Sequence, residues 1–242
     1  NGAYDNGMVL TEQPEPPVNG RTAYIGCYFT PANFFAGYIT DFVMYRTYSA
    51  TYPADWRGYK LQTLVPKAPL LKCQFEGSSF LDLVTTNPLT VNGSASLSSV
   101  DKKFGSTSGL FTGGSDYVSP PYLALFSYQG MDFGIEMWIK TTETAGGEQV
   151  VFKQVDGSSL RQILIKFGDA NLEHRLIVTV GDPISDTVTT SLTKTDFSTS
   201  FRHLQVQKKQ FGFKVYVDGV CVGNSEINII ESIVGAVYDV AL

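Results

Sequence analysis

Apolar and polar positions alternate along most of the chain in short runs, broken by turn residues roughly every ten positions. In "FGIEMWIKTT", Phe133, Ile135, Met137 and Ile139 share one face, and Glu136, Trp138 and Lys140 share the other. "RHLQVQKK" sets Leu204 and Val206 against His203, Gln205 and Gln207. "RQILIKFG" and "HRLIVTVG" form an antiparallel pair around an Asp169–Asn171 turn, and "TAYIGCYF" and "GYITDFVMYR" read as strands near the front. "FKVYVDGVCVG" is a hairpin whose Asp218-Gly219 turn tolerates the φ > 0 that tight hairpins need. The helical period of 3.6 is missing except for a short helical turn expected around Tyr122–Tyr128. The pattern predicts an all-β, two-sheet antiparallel sandwich.

Composition narrows the classes. Of 242 residues, 43% are hydrophobic, enough to fill a core, and only 17% are charged. The net charge of −5 and the isolated basic pairs Lys102-Lys103 and Lys208-Lys209 argue against nucleic acid as a partner. No apolar run approaches the ~20 residues that span a bilayer, so membrane insertion is not expected. Cys27, Cys73 and Cys221 match no zinc spacing and sit in apolar runs, where they are expected as small buried hydrophobes. With three thiols no disulfide framework is expected, so stability must come from core burial.

"TLVPKAPLL" marks a boundary near residue 62. Beyond it the pieces fall into a recognisable order. "PLLKCQFEGSSFLDL", "KKFGSTSGLFTGGSDYVSPP", "MDFGIEMWIKTT" and "FRHLQVQKKQFGFKVYVDGVCVG" follow one another. This succession resembles the laminin-G-like, concanavalin-A-like lectin/glucanase jelly roll, in the spacing found in bacteriophage virion proteins and bacterial surface proteins. The front segment "RTAYIGCYFTPANFFAGYITDFVMYRTYSATYPADW" resembles the closing strand pair of the same domain. The expected organisation is therefore residues 1–62 as the C-terminal part of one jelly roll and 63–242 as a second. The alternative is that residues 1–62 supply strands that complete the second. The opening "NGAYDNG" resembles the Asp218-Gly219 hairpin without its first strand, which suggests a window cut from a tandem array.

Chemistry is sparse. "EINIIE", Glu226 to Glu231, approaches the E-x-D-x-x-E of retaining glucanases but has Asn228 at the middle position, where a carboxylate would tune the nucleophile. His174 and His203 stand in no nucleophile motif. "TGGSD" is a turn with no following helix to cradle phosphate. No catalytic residues are assigned and no enzyme activity is expected.

Binding is the better expectation. The resemblance implies room for a calcium ion between loops at the sandwich rim, and Asp116, Asp182 and Asp186 are the candidate oxygen ligands. Tyr122, Phe126 and Tyr128 in "PPYLALFSYQG", together with Trp138, are the rings placed to stack on sugar. Phe35 occupies the packing position of the family's "FNG". The resemblance implies a non-enzymatic virion module, a phage tail, fibre or capsid-decorating protein carrying a carbohydrate-binding jelly roll. Its partners would be other virion proteins and host-surface glycans, in an oligomeric, extracellular particle. The alternatives are a bacterial secreted or surface adhesin and an accessory domain of a glycoside hydrolase.

Overall fold

The computed structural model describes residues 22–26, 34–47, 69–120, 132–143, 147–155, 162–168, 173–181, 185–209 and 212–226. Nearly all of them lie in strands or tight turns. In chain order the strands are β1 Thr22–Ile25, β2 Ala36–Thr47, β3 Pro69–Cys73, β4 Leu81–Asp82, β5 Asn87–Pro88 and β6 Thr90–Asn92. Then come β7 Ser96–Ser98, β8 Ser108–Thr112, β9 Tyr117–Ser119, β10 Asp132–Thr141, β11 Gln149–Val155 and β12 Gln162–Phe167. The last are β13 Arg175–Gly181, β14 Ser185–Thr193, β15 Arg202–Lys209, β16 Gly212–Val217 and β17 Val220–Glu226, with one 3-10 turn at Lys194–Phe197. The expected helical turn near Tyr122 and the boundary near residue 62 lie outside the described residues.

Two large antiparallel sheets face each other, in the orders β14-β13-β12-β11-β1-β9-β6 and β17-β16-β15-β10-β2-β8-β7, with β3 also paired to β2. The chain is an all-β jelly-roll sandwich. The alternation read in the sequence determines which side chains enter it. Phe133, Ile135, Met137 and Ile139 of β10 are buried, as are Leu204 and Val206 of β15 and Phe213, Val215 and Val217 of β16. They meet Ile163, Ile165, Phe167, Leu176, Val178 and Val180 of the other sheet in one continuous core. At the Asp218-Gly219 turn both residues have positive φ (50° and 78°), the backbone of a type I′ hairpin.

The described part of the front segment lies inside this sandwich. β1 pairs with β11 and β9, and β2 runs between β10 on one side and β8 and β3 on the other. β2 contributes Ile39, Phe42 and Met44 to the core, and the adjoining Phe35 is fully buried. Strands 22–25 and 36–47 therefore fill central positions in both sheets, where their absence would leave β10 and β11 with unpaired backbone.

One cysteine departs from expectation. Cys73 is buried, but Cys221 is exposed. Cys221 lies opposite Tyr216 on β17, an edge strand among the described residues, next to a register shift at Val215/Tyr216, and faces away from the core. Cys27 lies outside the described residues.

Candidate carbohydrate-binding face

The outer face of the β10-containing sheet carries the polar half of the alternation. Register places Trp138 of β10 between Thr40 of β2 and His203 of β15. One row along, Glu136 lies between Val43 and Gln205, and Gln205 lies opposite Tyr216 of β16. The Glu136 carboxylate sits 3.6 Å from His203 Nε2 and accepts a 3.4 Å hydrogen bond from Gln205 Nε2. The His203 backbone N–H donates to Asp218 Oδ1 at 2.8 Å, and Asp218 also pairs with Arg202, so the hairpin turn braces the His203 strand.

Between Glu136 and Trp138 the β2–β10 register shifts by one residue. Two residues of β2, Asp41 and Phe42, oppose the single Met137 of β10. Phe42 enters the core, and Asp41 takes a left-handed backbone (φ 50°) that Asp tolerates better than most residues. Burial pushes the Asp41 carboxyl above its ordinary range. A hydrogen bond from Thr40 opposes this, Glu76 adds to it, and Lys72 offsets part of it.

The β7–β8 loop folds over this face. Its anchors are specific. Lys140 on β10 holds Asp101 with bonds of 2.9 and 3.0 Å. Glu76 Oε2 accepts the Ser106 backbone N–H at 2.9 Å and the Ser106 hydroxyl at 2.6 Å, which hold its carboxyl below the usual range. Thr107 Oγ1 donates to the Phe75 carbonyl at 2.7 Å. Gly105, at φ 62°, packs so closely on Glu76 that a Cβ there would overlap the carboxylate. These contacts deliver Phe104 edge-on to Trp138, with ring centroids 5.4 Å apart and planes at 85°. The Lys103 ammonium lies 4.4 Å from the Trp138 centroid and 5.8 Å from that of Phe104. His203 lies 5.0 Å from Trp138 on a plane tilted by 36°. Trp138 is thus half-buried among its neighbours, and Phe104, 51% exposed, is the ring presented to solvent.

The sequence-derived site residues separate. Trp138 belongs to this corner, but as the base under Phe104 rather than the outer ring. Tyr122, Phe126, Tyr128 and Asp182 lie outside the described residues. Asp116 is buried between β8 and β9. Its Oδ1 accepts the Ser94 N–H at 2.5 Å, and its Oδ2 accepts the Thr112 N–H and hydroxyl, both at 2.7 Å. Asp186 lies on edge strand β14 and accepts the Thr187 N–H at 2.8 Å. β1, β11, β12 and β13 lie between β9 and β14 in the sheet order, a separation of roughly 24 Å at about 4.8 Å per strand. Asp116 and Asp186 cannot share an ion. Among the described residues no three or more His, Cys, Asp or Glu gather into a group that could hold a metal ion.

Sequence reasoning missed Phe104 and Lys103. The available signal was an aromatic flanked by two lysines and a glycine in "DKKFGS", a ring in a polar turn with no strand alternation to bury it. Glu226 closes β17, and Asn228 and Glu231 fall outside the described residues. His174 precedes β13 with φ 50°, and its carbonyl accepts the Lys194 N–H.

Residues 112–233, just over half of the chain, match the model of the concanavalin A-like lectin/glucanases superfamily. The chain belongs to this family. The matched segment includes Trp138, Glu136, His203 and Gln205, whereas Lys103 and Phe104 precede it. No curated protein and no solved structure matches the chain.

Proposed function

We propose that this chain is a non-enzymatic carbohydrate-binding jelly roll, acting as a structural and adhesion module of a virion that meets glycans on the host surface. The observation that carries the binding reading is the Phe104–Trp138 corner beside the Glu136–His203–Gln205 row. A sugar ring offers C–H bonds to stack on an aromatic face and hydroxyls that need both donors and acceptors. Phe104 supplies exposed ring surface. Gln205 carries both a donor and an acceptor, and Glu136 carries acceptors. The corner stands on a central strand of the sheet, so the rigid core positions it. The virion setting rests on the order and spacing of the motifs quoted above.

Titration calorimetry of the purified protein against a panel of bacterial envelope polysaccharides tests the binding reading. Saturable binding is expected, weakened roughly tenfold or more by Phe104→Ala, since aromatic truncation at the centre of a contact commonly costs that much. Absence of binding to every member of the panel by a folded protein would remove the carbohydrate reading. Mass spectrometry of purified particles from the source culture tests the setting. The chain should co-purify with particles through a density gradient, and its recovery in the soluble or cell-wall fraction alone would favour a surface adhesin.

A further inference from the structure

We propose that the Phe104 corner selects saccharides that carry an anionic substituent, with Lys103 as the residue that reads the charge. The inference rests on the carbohydrate-binding reading and names the substrate class of that site. Its basis is the distribution of charge around the ring. Lys140, the nearest lysine on the strand below, is committed to Asp101. The Lys102 ammonium donates to the Ser106 carbonyl at 3.4 Å. On the sheet, Glu136 accepts a hydrogen bond from Gln205 beside the His203 ring, and Glu76 accepts two from Ser106. Each of these charges has a partner. Lys103 does not have a carboxylate partner among the described residues. Its ammonium rests over Trp138 and beside Phe104, an arrangement that orients the charge without neutralising it.

A cation held 4.4 Å from a ring centroid, next to a solvent-exposed phenyl, matches a pyranose with a charged arm. The ring stacks on Phe104, and the carboxylate or sulfate outside it meets the ammonium. Lysine presents a compact point charge on a flexible stem, so it accepts either anion without demanding bidentate geometry. The rest of the molecule sharpens the contrast. The protein carries a net charge of −5, so an acidic polymer is repelled from the bulk surface and attracted only at a local positive site. Neutral glycans lack the second interaction and rely on stacking alone.

The experiment uses the full chain and matched pairs of polymers: uronate polysaccharides against their carboxyl-reduced forms, and sulfated against unsulfated dextran. Wild type, Lys103→Gln and Phe104→Ala are compared by calorimetry at low and at 0.5 M salt, with thermal unfolding as the folding control. The expected result is preference for the acidic member of at least one pair by roughly tenfold, reduced by salt, abolished by Lys103→Gln, with Phe104→Ala weakening both members. The pair that shows the preference identifies carboxylate or sulfate as the anion. Equal affinity for both members of every pair, lost in Phe104→Ala, would overturn the charge selection and leave the carbohydrate site standing. Acidic preference that survives Lys103→Gln would also overturn it, since the charge would be read elsewhere. Absence of binding to all members would remove both readings.

Discussion

Phe42 of β2 and Phe152 of β11 meet across the sandwich with ring centroids 5.2 Å apart, one ring from each sheet. Both are fully buried. Phe42 belongs to the front segment and Phe152 to the body of the jelly roll, so this contact ties the two stretches of sequence into a common core.

Phe42→Ala is therefore expected to lower stability by about 3–5 kcal/mol, the cost of losing a buried phenyl and leaving a cavity. A urea titration should show a lower midpoint with the same slope. A chain beginning at residue 63 should lack a cooperative transition, and a peptide spanning residues 20–48, added in trans, should restore one. A chain from residue 63 that melts cooperatively at the full-length midpoint would show that β1 and β2 are dispensable.

Asp116 clamps the start of the β8–β9 turn to the β6–β7 turn through three hydrogen bonds that its carboxylate accepts. Asp116→Ala would remove the carboxylate that the Ser94 and Thr112 N–H groups and the Thr112 hydroxyl all donate to. The expected loss is about 1.5–3 kcal/mol, the usual worth of hydrogen bonds to a charged group. The loss should be the same in excess EDTA and in millimolar calcium, because its cause is the loss of these hydrogen bonds. A calcium-dependent difference would restore Asp116 as a ligand.

Burial, above all, holds the Asp41 carboxyl in the folded protein above its ordinary value of 3.8. As pH rises past 3.8, the unfolded chain gives up this proton before the folded one does. The contribution of Asp41 to stability is then greatest below 3.8 and declines as pH rises through the raised value, remaining low above it. Asp41→Asn keeps the tolerance for a left-handed backbone and removes the charge. It is expected to raise the melting temperature at pH 7 and to give no gain at pH 3. A variant less stable than wild type at pH 7 would mean that the Thr40 hydroxyl and Lys72 outweigh desolvation.

The two described thiols should differ sharply in reactivity. Cys221 is exposed on an edge strand, whereas Cys73 is buried and its thiol is pushed well above the ordinary range by desolvation, with Asp82 adding to the effect. Iodoacetamide at pH 8 followed by peptide mapping should modify Cys221 in the native protein within minutes. Cys73 should react only in denaturant. Rapid native labelling of Cys73 would indicate local opening of β3.

Exchanging Gly105 for Ala tests the loop that carries the proposed binding corner. The left-handed backbone and the close Glu76 carboxylate both oppose a Cβ there. Global stability should fall by about 1 kcal/mol, while glycan affinity falls further as Phe104 leaves Trp138. Unchanged affinity would separate the loop from recognition.

Most of the sandwich was legible in the chain. Period-two alternation determined that Ile135, Met137 and Ile139 point inward and Glu136 and Trp138 outward, because a pleated strand has only two faces. Asp218-Gly219 determined its hairpin because few residue pairs accept two successive positive φ angles. The order of motifs determined the family. Alternation could not say that Cys221 lies on an edge, because edge and centre differ in neighbours rather than in period. It could not set the β2 register slip at Asp41, which arises where one strand must serve both β8 and β3 on a single side. Nor could it bring Phe104 and Lys103, more than thirty residues before Trp138, over that ring. That placement depends on a loop crossing β2 and on the pairing of Asp101 with Lys140, and such long-range contacts are chosen by the packed fold and leave no local periodicity.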